Sequence, residues 1–189
     1  MLFRSDLTAA LRHARAGSED GFKRLWSALQ PPLLRYLRVK AGEAAEDVAS
    51  ETWLQVVRDL RSFRGGYDDF RRWLFTVARH RATDAARARL ARPVQLVADM
   101  HIHLDAVSPS AETVALERVS TEQALQLLMT LPPEQAEMVA LRVVAGLDVA
   151  AVAAMVGKST GAVRTSVHRG LRLLSDQARA HARAAVDQP

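Results

Sequence analysis

Residues 157–174 read GKSTGAVRTSVHRGLRLL, and the reading of this stretch decides the fold. A glycine and the hydroxyls of Ser159 and Thr160 open a helix whose apolar positions, Val163, Val167, Leu171 and Leu174, recur every three or four residues. Arg164, Arg169 and Arg172 lie between them. Just upstream, residues 148–156 (DVAAVAAMV) form a short apolar helix, with small Ala153 where two helices pack closely and Gly157 as a left-handed turn residue. This is the spacing of a helix-turn-helix, with Val152, Val156, Val163 and Val167 along the seam. In that motif the second helix enters the major groove, and its N-terminal residues reach base edges. The candidate DNA contacts are Lys158, Ser159, Thr160, Arg164, Thr165, Ser166, His168, Arg169 and Arg172. Arg164 suits a bidentate contact with guanine, the hydroxyls suit phosphates or bases, and Arg169 and Arg172 suit phosphates. The competing reading is a helical hairpin with solvated arginines. The caps, the turn glycine and the basic outward face together weigh against it.

Composition agrees with a helical protein. Of 189 residues, 49% are apolar and only 5% aromatic, and β-branched runs are scarce. Cysteine is absent, which excludes disulfides, thiolate catalysis and cysteine-ligated zinc. The N-terminal stretch MLFRSDLTAALRHARAG is broken by charges and is not a signal peptide. No apolar run approaches the roughly 20 residues that span a bilayer. A soluble cytoplasmic chain, with no membrane contact, is expected.

The net charge is +5, unevenly spread. Arg79–Arg92 holds five arginines against one aspartate, and Lys158–Arg183 six basic residues against Asp176 alone. Between them, Asp99–Asp148 carries eight acids and only Arg118 and Arg142. Two basic patches around an acidic middle suit two contacts with a polyanion. Solvated arginine-rich helices would show the same charge pattern, so charge alone leaves both readings open.

Caps and periodicity divide the chain. Ser5 or Asp6 caps a first helix ending at Gly17, and Ser18 caps a second with Glu19 and Asp20 in its first turn. Pro31 and Pro32 are expected to kink or divide that second helix. In the next, Val48, Thr52, Trp53, Val56, Val57 and Leu60 form one stripe, ended by Gly65 and Gly66. Asp68 or Asp69 caps a long helix from Phe70 to about Leu90, with Phe70, Trp73, Leu74, Val77, Ala78, Ala82 and Ala85 inward. Trp26, Trp53 and Trp73 are assigned to the core. Residues 93–110 lack a sustained period and read as a linker. Helices at about 111–130, 133–145, 148–156 and 159–178 follow, with Pro133, Gly146, Asp148 and Ser159 at their ends. The expectation is an all-α chain: a domain at 1–92, a flexible linker at 93–110, and a helix-turn-helix domain at 111–189.

Two stretches carry a family resemblance. AEDVASETWLQVVRDLRSFRG followed by FRRWLFTVARHRATDAARARLAR resembles the second conserved region of the extracytoplasmic-function (ECF, group 4) sigma factors of bacterial RNA polymerase. LPPEQAEMVALRVVAGLDVAAVAAMVGKSTGAVRTSVHRGLRLL resembles their fourth region. Order and spacing agree over nearly the whole chain. The resemblance implies a dissociable subunit that lets core polymerase recognise and open promoters. It implies docking of the Asp47–Leu60 helix on a coiled coil of the largest polymerase subunit, through Asp47, Ser50, Glu51 and Leu54, and a contact of the fourth region with the polymerase flap. Without it, Asp47 and Glu51 read more simply as helix acids on a solvated face.

The same resemblance implies that the Phe70–Arg89 helix opens the minus-ten element and holds its non-template strand. Arg71, Arg79, His80, Arg81 and Arg87 supply charge, and Phe63 and Tyr67 are candidates for contact with flipped bases. The recognition helix would read the minus-thirty-five element. The sequence departs from the family's pattern at Ser50, His80, Lys158 and Ser166, which bears on the promoter read. Gly170 inside the recognition helix costs about 1 kcal/mol against alanine, which close packing would offset. Asp99 and Asp105 of the linker could mimic nucleic-acid charge in the polymerase cleft. His101 and His103 alternate, but no third ligand clusters with them.

The chain is expected to act by binding, as a monomer when free, without cofactor or metal and without enzymatic chemistry: no nucleophile–base set or phosphate loop is present. An anti-sigma protein is the expected regulator. The alternative is an ordinary helix-turn-helix regulator whose N-terminal helical domain senses a ligand or dimerises.

Overall fold

The computed structural model describes residues 2–91 and 122–186, with side chains over 5–91 and 122–180. Among the described residues every regular element is helical. The linker at 93–110, with Asp99, Asp105, His101 and His103, and the start of the 111–130 helix lie outside them, as does Arg183 with respect to its side chain.

The first unit is built from α1 (Leu2–Arg15), α2 (Glu19–Ala41), α3 (Ala45–Asp59) and α4 (Tyr67–Ala91). Ser18 caps α2 as expected, its Oγ accepting from the Gly21 N–H at 3.2 Å. Three expectations are corrected. Helix α1 begins at Leu2, so Ser5 and Asp6 lie inside it rather than at its cap. Helix α2 runs undivided through Pro31 and Pro32. The prolines remove two backbone donors, but Leu25, Leu29, Leu33, Tyr36 and Leu37 on the same helix are buried. Each buried leucine contributes about 1.5–3 kcal/mol, and together they outweigh roughly 3 kcal/mol for an interior proline. Helix α4 starts at Tyr67, before Asp68 and Asp69. Asp69 instead reaches back to accept from the Gly66 N–H at 3.0 Å, as the third residue of a capping box does.

Helix α2 is the axis of this unit, with α1, α3 and α4 packed around it. Trp53 is buried, and its indole N–H donates to Gln30 Oε1 at 2.6 Å. Trp26 and Trp73 are partly buried against the core. Phe75, absent from the sequence-derived stripe, is fully buried and meets Tyr36 edge-on at 5.5 Å. Val57, placed in the α3 stripe by periodicity, is instead 55% exposed.

The second unit comprises α5 (helical over 122–129), α6 (Pro133–Val139) continuing into a π-helical turn (Ala140–Val144), α7 (Val149–Val156) and α8 (Thr160–Val186). Pro133 occupies the first helical position of α6. Asp148 caps α7 by accepting from the Ala151 N–H at 2.7 Å, and Ser159 caps α8 by accepting from Ala162 at 3.2 Å. Between them Gly157 is left-handed at φ +69°, a conformation that a Cβ would strain. Val152 and Val163 are fully buried at the seam, with Val156 and Val167 partly buried beside them. Leu171 departs from the expected stripe and is exposed.

Gly170 marks where α8 crosses α6: a Cβ there would sit 2.8 Å from Val139 Cγ2 and 3.3 Å from both Gln135 Cγ and Leu131 Cδ1. The helix tolerates glycine because nothing larger fits. The two units also touch. Helix α2 packs on α6 and its π turn, and the buried side chains of both units form one contiguous cluster.

Candidate polymerase and nucleic-acid interface

Three surfaces carry the candidate residues. The first is the outer face of α3. Asp47, Ser50, Glu51 and Leu54 recur at helical spacing and are all exposed, Leu54 at 57%. Val57 extends the same row by one step and is equally open. The opposite face holds Val48, Ala49, Thr52, Trp53 and Val56 in the core. The Thr52 hydroxyl donates to the Val48 carbonyl at 2.6 Å, so its polarity is satisfied within the helix. Exposed aliphatic side chains beside carboxylates suit a partner that offers an apolar groove rimmed by cations. Sequence reading missed Val57 because it falls at the edge of the apolar stripe, where periodicity cannot tell inner from outer.

The second surface is α4. His80 and Arg87 are exposed, whereas Arg71, Arg79 and Arg81 are half-buried. Arg81 donates through Nε and Nη2 to Gln55 Oε1 of α3, at 3.1 and 2.6 Å. Arg79 Nε lies 2.8 Å from Glu137 Oε1 of α6. The Arg71 guanidinium rests against Gly146, in the loop after the π turn. The aromatic candidates are packed rather than presented. Tyr67 is buried, and Phe63 stacks on Trp73 at 5.2 Å while meeting Phe70 edge-on at 5.6 Å. Phe63 keeps part of its surface exposed, whereas Tyr67 is closed off.

The third surface is the helix-turn-helix. Thr160, Arg164, Thr165, His168, Arg169 and Arg172 are exposed on α8, with Lys158 and Ser159 exposed in the turn before it. Lys158 Nζ pairs with Glu134 Oε2 at 2.9 Å, and the lysine holds the Glu134 carboxyl below its ordinary value. Ser166 is half-buried, and its carbonyl accepts from Gln135 Nε2 at 2.9 Å. Of the nine candidates it is therefore the least available to a groove.

One acid was missed altogether. Glu137 is only 6% exposed and accepts from Tyr36 Oη at 3.3 Å, Lys40 Nζ at 2.8 Å and Arg79 Nε at 2.8 Å. Its neighbours Ala136, Met138, Val139, Ala140 and Leu141 are all buried. A carboxylate inside such an apolar run was the available signal, since a buried charge needs partners. Among the described residues no group of three or more His, Cys, Asp or Glu side chains could hold a metal ion, and no helix is long and apolar enough to cross a membrane.

Comparison with known proteins matches this architecture. Residues 25–92 match the family model of Sigma-70 region 2, and residues 121–174 that of Sigma-70, region 4. The chain is 34% identical over 175 residues to the ECF RNA polymerase sigma factor BldN of Streptomyces coelicolor, covering 89% of the chain and 66% of that relative. It is 32% identical over 180 residues to the ECF RNA polymerase sigma factor SigD of Mycobacterium bovis, covering 90% of the chain and 83% of that relative. Its fold is similar to that of the sigma factor RpoE of Bartonella quintana, solved in complex with the anti-sigma factor NepR. There the TM-score is 0.59 at 20% identity, covering 84% of this chain and 96% of that one. With both conserved regions in order, and relatives of this similarity along most of its length, the chain belongs to the ECF RNA polymerase sigma factors.

Proposed function

We propose that the chain directs transcription initiation by joining core RNA polymerase and reading promoter DNA at two points, without chemistry or cofactor of its own. The observation that carries the reading is the outer face of α3, where Asp47, Ser50, Glu51, Leu54 and Val57 stand exposed on a helix otherwise locked into the core. That face docks on a basic coiled coil of the largest subunit. Charge steers the encounter, and Leu54 and Val57 anchor it.

The first domain, 1–92, takes the minus-ten element through Arg71, Arg79, His80, Arg81 and Arg87, with Phe63 and Tyr67 as contacts for flipped bases. The second, 111–189, reads the minus-thirty-five element through Lys158, Ser159, Thr160, Arg164, Thr165, Ser166, His168, Arg169 and Arg172, and approaches the flap. The linker at 93–110 lets the two separate. The protein works in the cytoplasm as a monomer until it meets polymerase. An anti-sigma protein controls it, a reading supported by the complex in which the structurally similar RpoE was solved.

Run-off transcription with purified core polymerase on genomic DNA tests this. The holoenzyme is expected to initiate at discrete promoters that core alone ignores. Tight binding of duplex operator by the isolated chain, with no initiation from any template, would reject it in favour of an ordinary regulator.

A further inference from the structure

We propose that the end of α1 and the loop after α3 form a second phosphate-binding patch, built on Arg12, Arg15 and Arg61, which takes the promoter single strand next to the base at Phe63. The proposal rests on the reading of α4 and Phe63 as the minus-ten surface.

Four arginines belong to this end of the first unit. Arg12 and Arg15 stand three residues apart on the last turn of α1, Arg12 exposed and Arg15 half-buried. Arg61 and Arg64 flank Ser62 and Phe63, and both are exposed. The two segments adjoin at Gly17, where Arg61 Nη2 lies 3.8 Å from the place a Cβ would take. Helix α1 precedes residues 25–92, the stretch matched to Sigma-70 region 2, so half of the patch lies outside that match.

The charge there is uncompensated. Asp59 is the single acid within 59–64, and 12–17 contains none. Acids close by along the chain are engaged: Glu19 by Lys23, Asp20 by Arg24, and Asp69 by the Gly66 N–H and Arg72. Arg64 gives Nη1 to the carbonyls of Arg61, Ser62 and Phe63 at 3.0–3.2 Å, which holds the shape of the loop. Arg12, Arg15 and Arg61 enter no ion pair among the described residues.

Cations in a last turn offset the helix dipole, which accounts for Arg12 and Arg15 in part. It does not account for Arg61, which comes from another element, nor for Arg15 Nε. That nitrogen is, among the described residues, the one buried side-chain N or O atom without a hydrogen-bond partner. A charged donor left in this way is costly, and turning toward a phosphate breaks no bond at Nε. Arginine forks match phosphate oxygens, and a cationic track beside a stacking ring is how single strands are held. Phe63, with part of its surface exposed, lies two residues from Arg61, and α4 leaves the same loop at its other end. A strand with a base at Phe63 thus has both α4 and this patch for its neighbouring phosphates.

Holoenzyme made with the full chain tests the patch, using fluorescent non-template strands of a promoter mapped by run-off transcription. A short strand covers the minus-ten element alone, and longer ones add a few nucleotides at one end or the other. Wild type is expected to bind one of the longer strands more tightly than the short one. Arg12→Gln with Arg61→Gln, both at exposed positions, should remove most of that gain and leave short-strand affinity unchanged. Adding Arg15→Gln should remove the rest. Each lost phosphate contact lowers the salt slope by about 0.7, so losing three makes the fall in affinity between 50 and 200 mM salt roughly twentyfold smaller. Arg12→Lys with Arg61→Lys keeps the charge and should keep the gain.

Longer strands that gain nothing in wild type, or gain as much in the glutamine variants, overturn the patch. Wild-type holoenzyme that ignores the short strand removes the minus-ten reading instead, and the salt slope of the longer strands still judges the patch.

Discussion

On α8, Arg164, Arg169 and Arg172 stand exposed and enter no ion pair among the described residues. On α4, Arg79 is held by Glu137, Arg81 by Gln55, and Arg72 by Asp69 and Asp148. Both helices carry similar positive charge, yet α8 presents these three arginines to solvent, while α4 commits Arg79 and Arg81 to half-buried partners and leaves His80 and Arg87 exposed. The difference teaches that basic composition locates a nucleic-acid surface without saying whether it is available. On the proposed function, the α8 arginines are open to a duplex in the free protein, whereas Arg79 and Arg81 of α4 are already engaged.

The severest way to break the comparison is to cut both faces off from polymerase. Leu54→Arg on α3 is expected to lower run-off transcription at least about thirtyfold, as for an interface anchor worth 2 kcal/mol or more. Duplex binding by the free chain and its melting temperature should stay nearly unchanged, because Leu54 is 57% exposed and lies outside the core. A normal transcript yield would move the docking face elsewhere.

Next, Arg164→Ala should weaken binding of minus-thirty-five duplex by about 1–3 kcal/mol, and equally in the free and polymerase-bound protein. Arg79→Ala should weaken strand binding in the holoenzyme alone. Fluorescence anisotropy on both ligands measures the two; equal losses in the free chain would erase the contrast.

Gly170→Ala tests whether α8 is seated as described. The gain in helix propensity, about 1 kcal/mol, is set against an overpacking strain of about 1–3 kcal/mol on Val139. That side chain is buried and branched at Cβ, so it cannot swing aside. Thermal denaturation should show a net loss of about 1 kcal/mol, and a raised melting temperature would mean that α8 and α6 lie further apart.

The junction has its own pH signature. Burial, and then the Glu137 charge, raise the Tyr36 hydroxyl well above its ordinary value of 10.0, while Arg79 opposes them. An acid raised in this way holds its proton more tightly in the folded chain than in the unfolded one. Its contribution is intact below pH 10 and is lost as pH rises from there through the raised value. Chemical denaturation at increasing alkalinity should therefore show a steeper stability loss in wild type than in Tyr36→Phe; parallel curves would place Tyr36 outside the junction.

The smallest effect concerns Lys158. Its partner Glu134 is largely exposed, so Glu134→Gln should raise duplex affinity by no more than about threefold, and less at high salt. A loss of affinity would instead give Glu134 a positive role in DNA binding.

How far these features were legible follows from their range along the chain. Ser18, Asp148, Gly157 and Ser159 act within three or four residues of themselves, and each cap was readable from the residues alone. The row Asp47, Ser50, Glu51 and Leu54 was grouped only through the family resemblance, since helical spacing alone reads Asp47 and Glu51 as acids on a solvated face. Pro31 and Pro32 misled because their local cost is overridden by burial against three other helices. Val57 and Leu171 misled because apolar character at a stripe edge does not specify a neighbour. Glu137 and Tyr36 are 101 residues apart, and no periodicity connects them. The occupied state of α4 depends on that pairing and could not be read from charge.

The most direct measurement compares two ligands in two states: affinity for the minus-ten non-template strand and for the minus-thirty-five duplex, each with the free chain and with the core-bound chain. The account predicts that core polymerase raises strand affinity by a much larger factor than duplex affinity, because only the α4 arginines are engaged beforehand. Equal factors for the two ligands, or strand binding by the free chain as tight as by the holoenzyme, would contradict it.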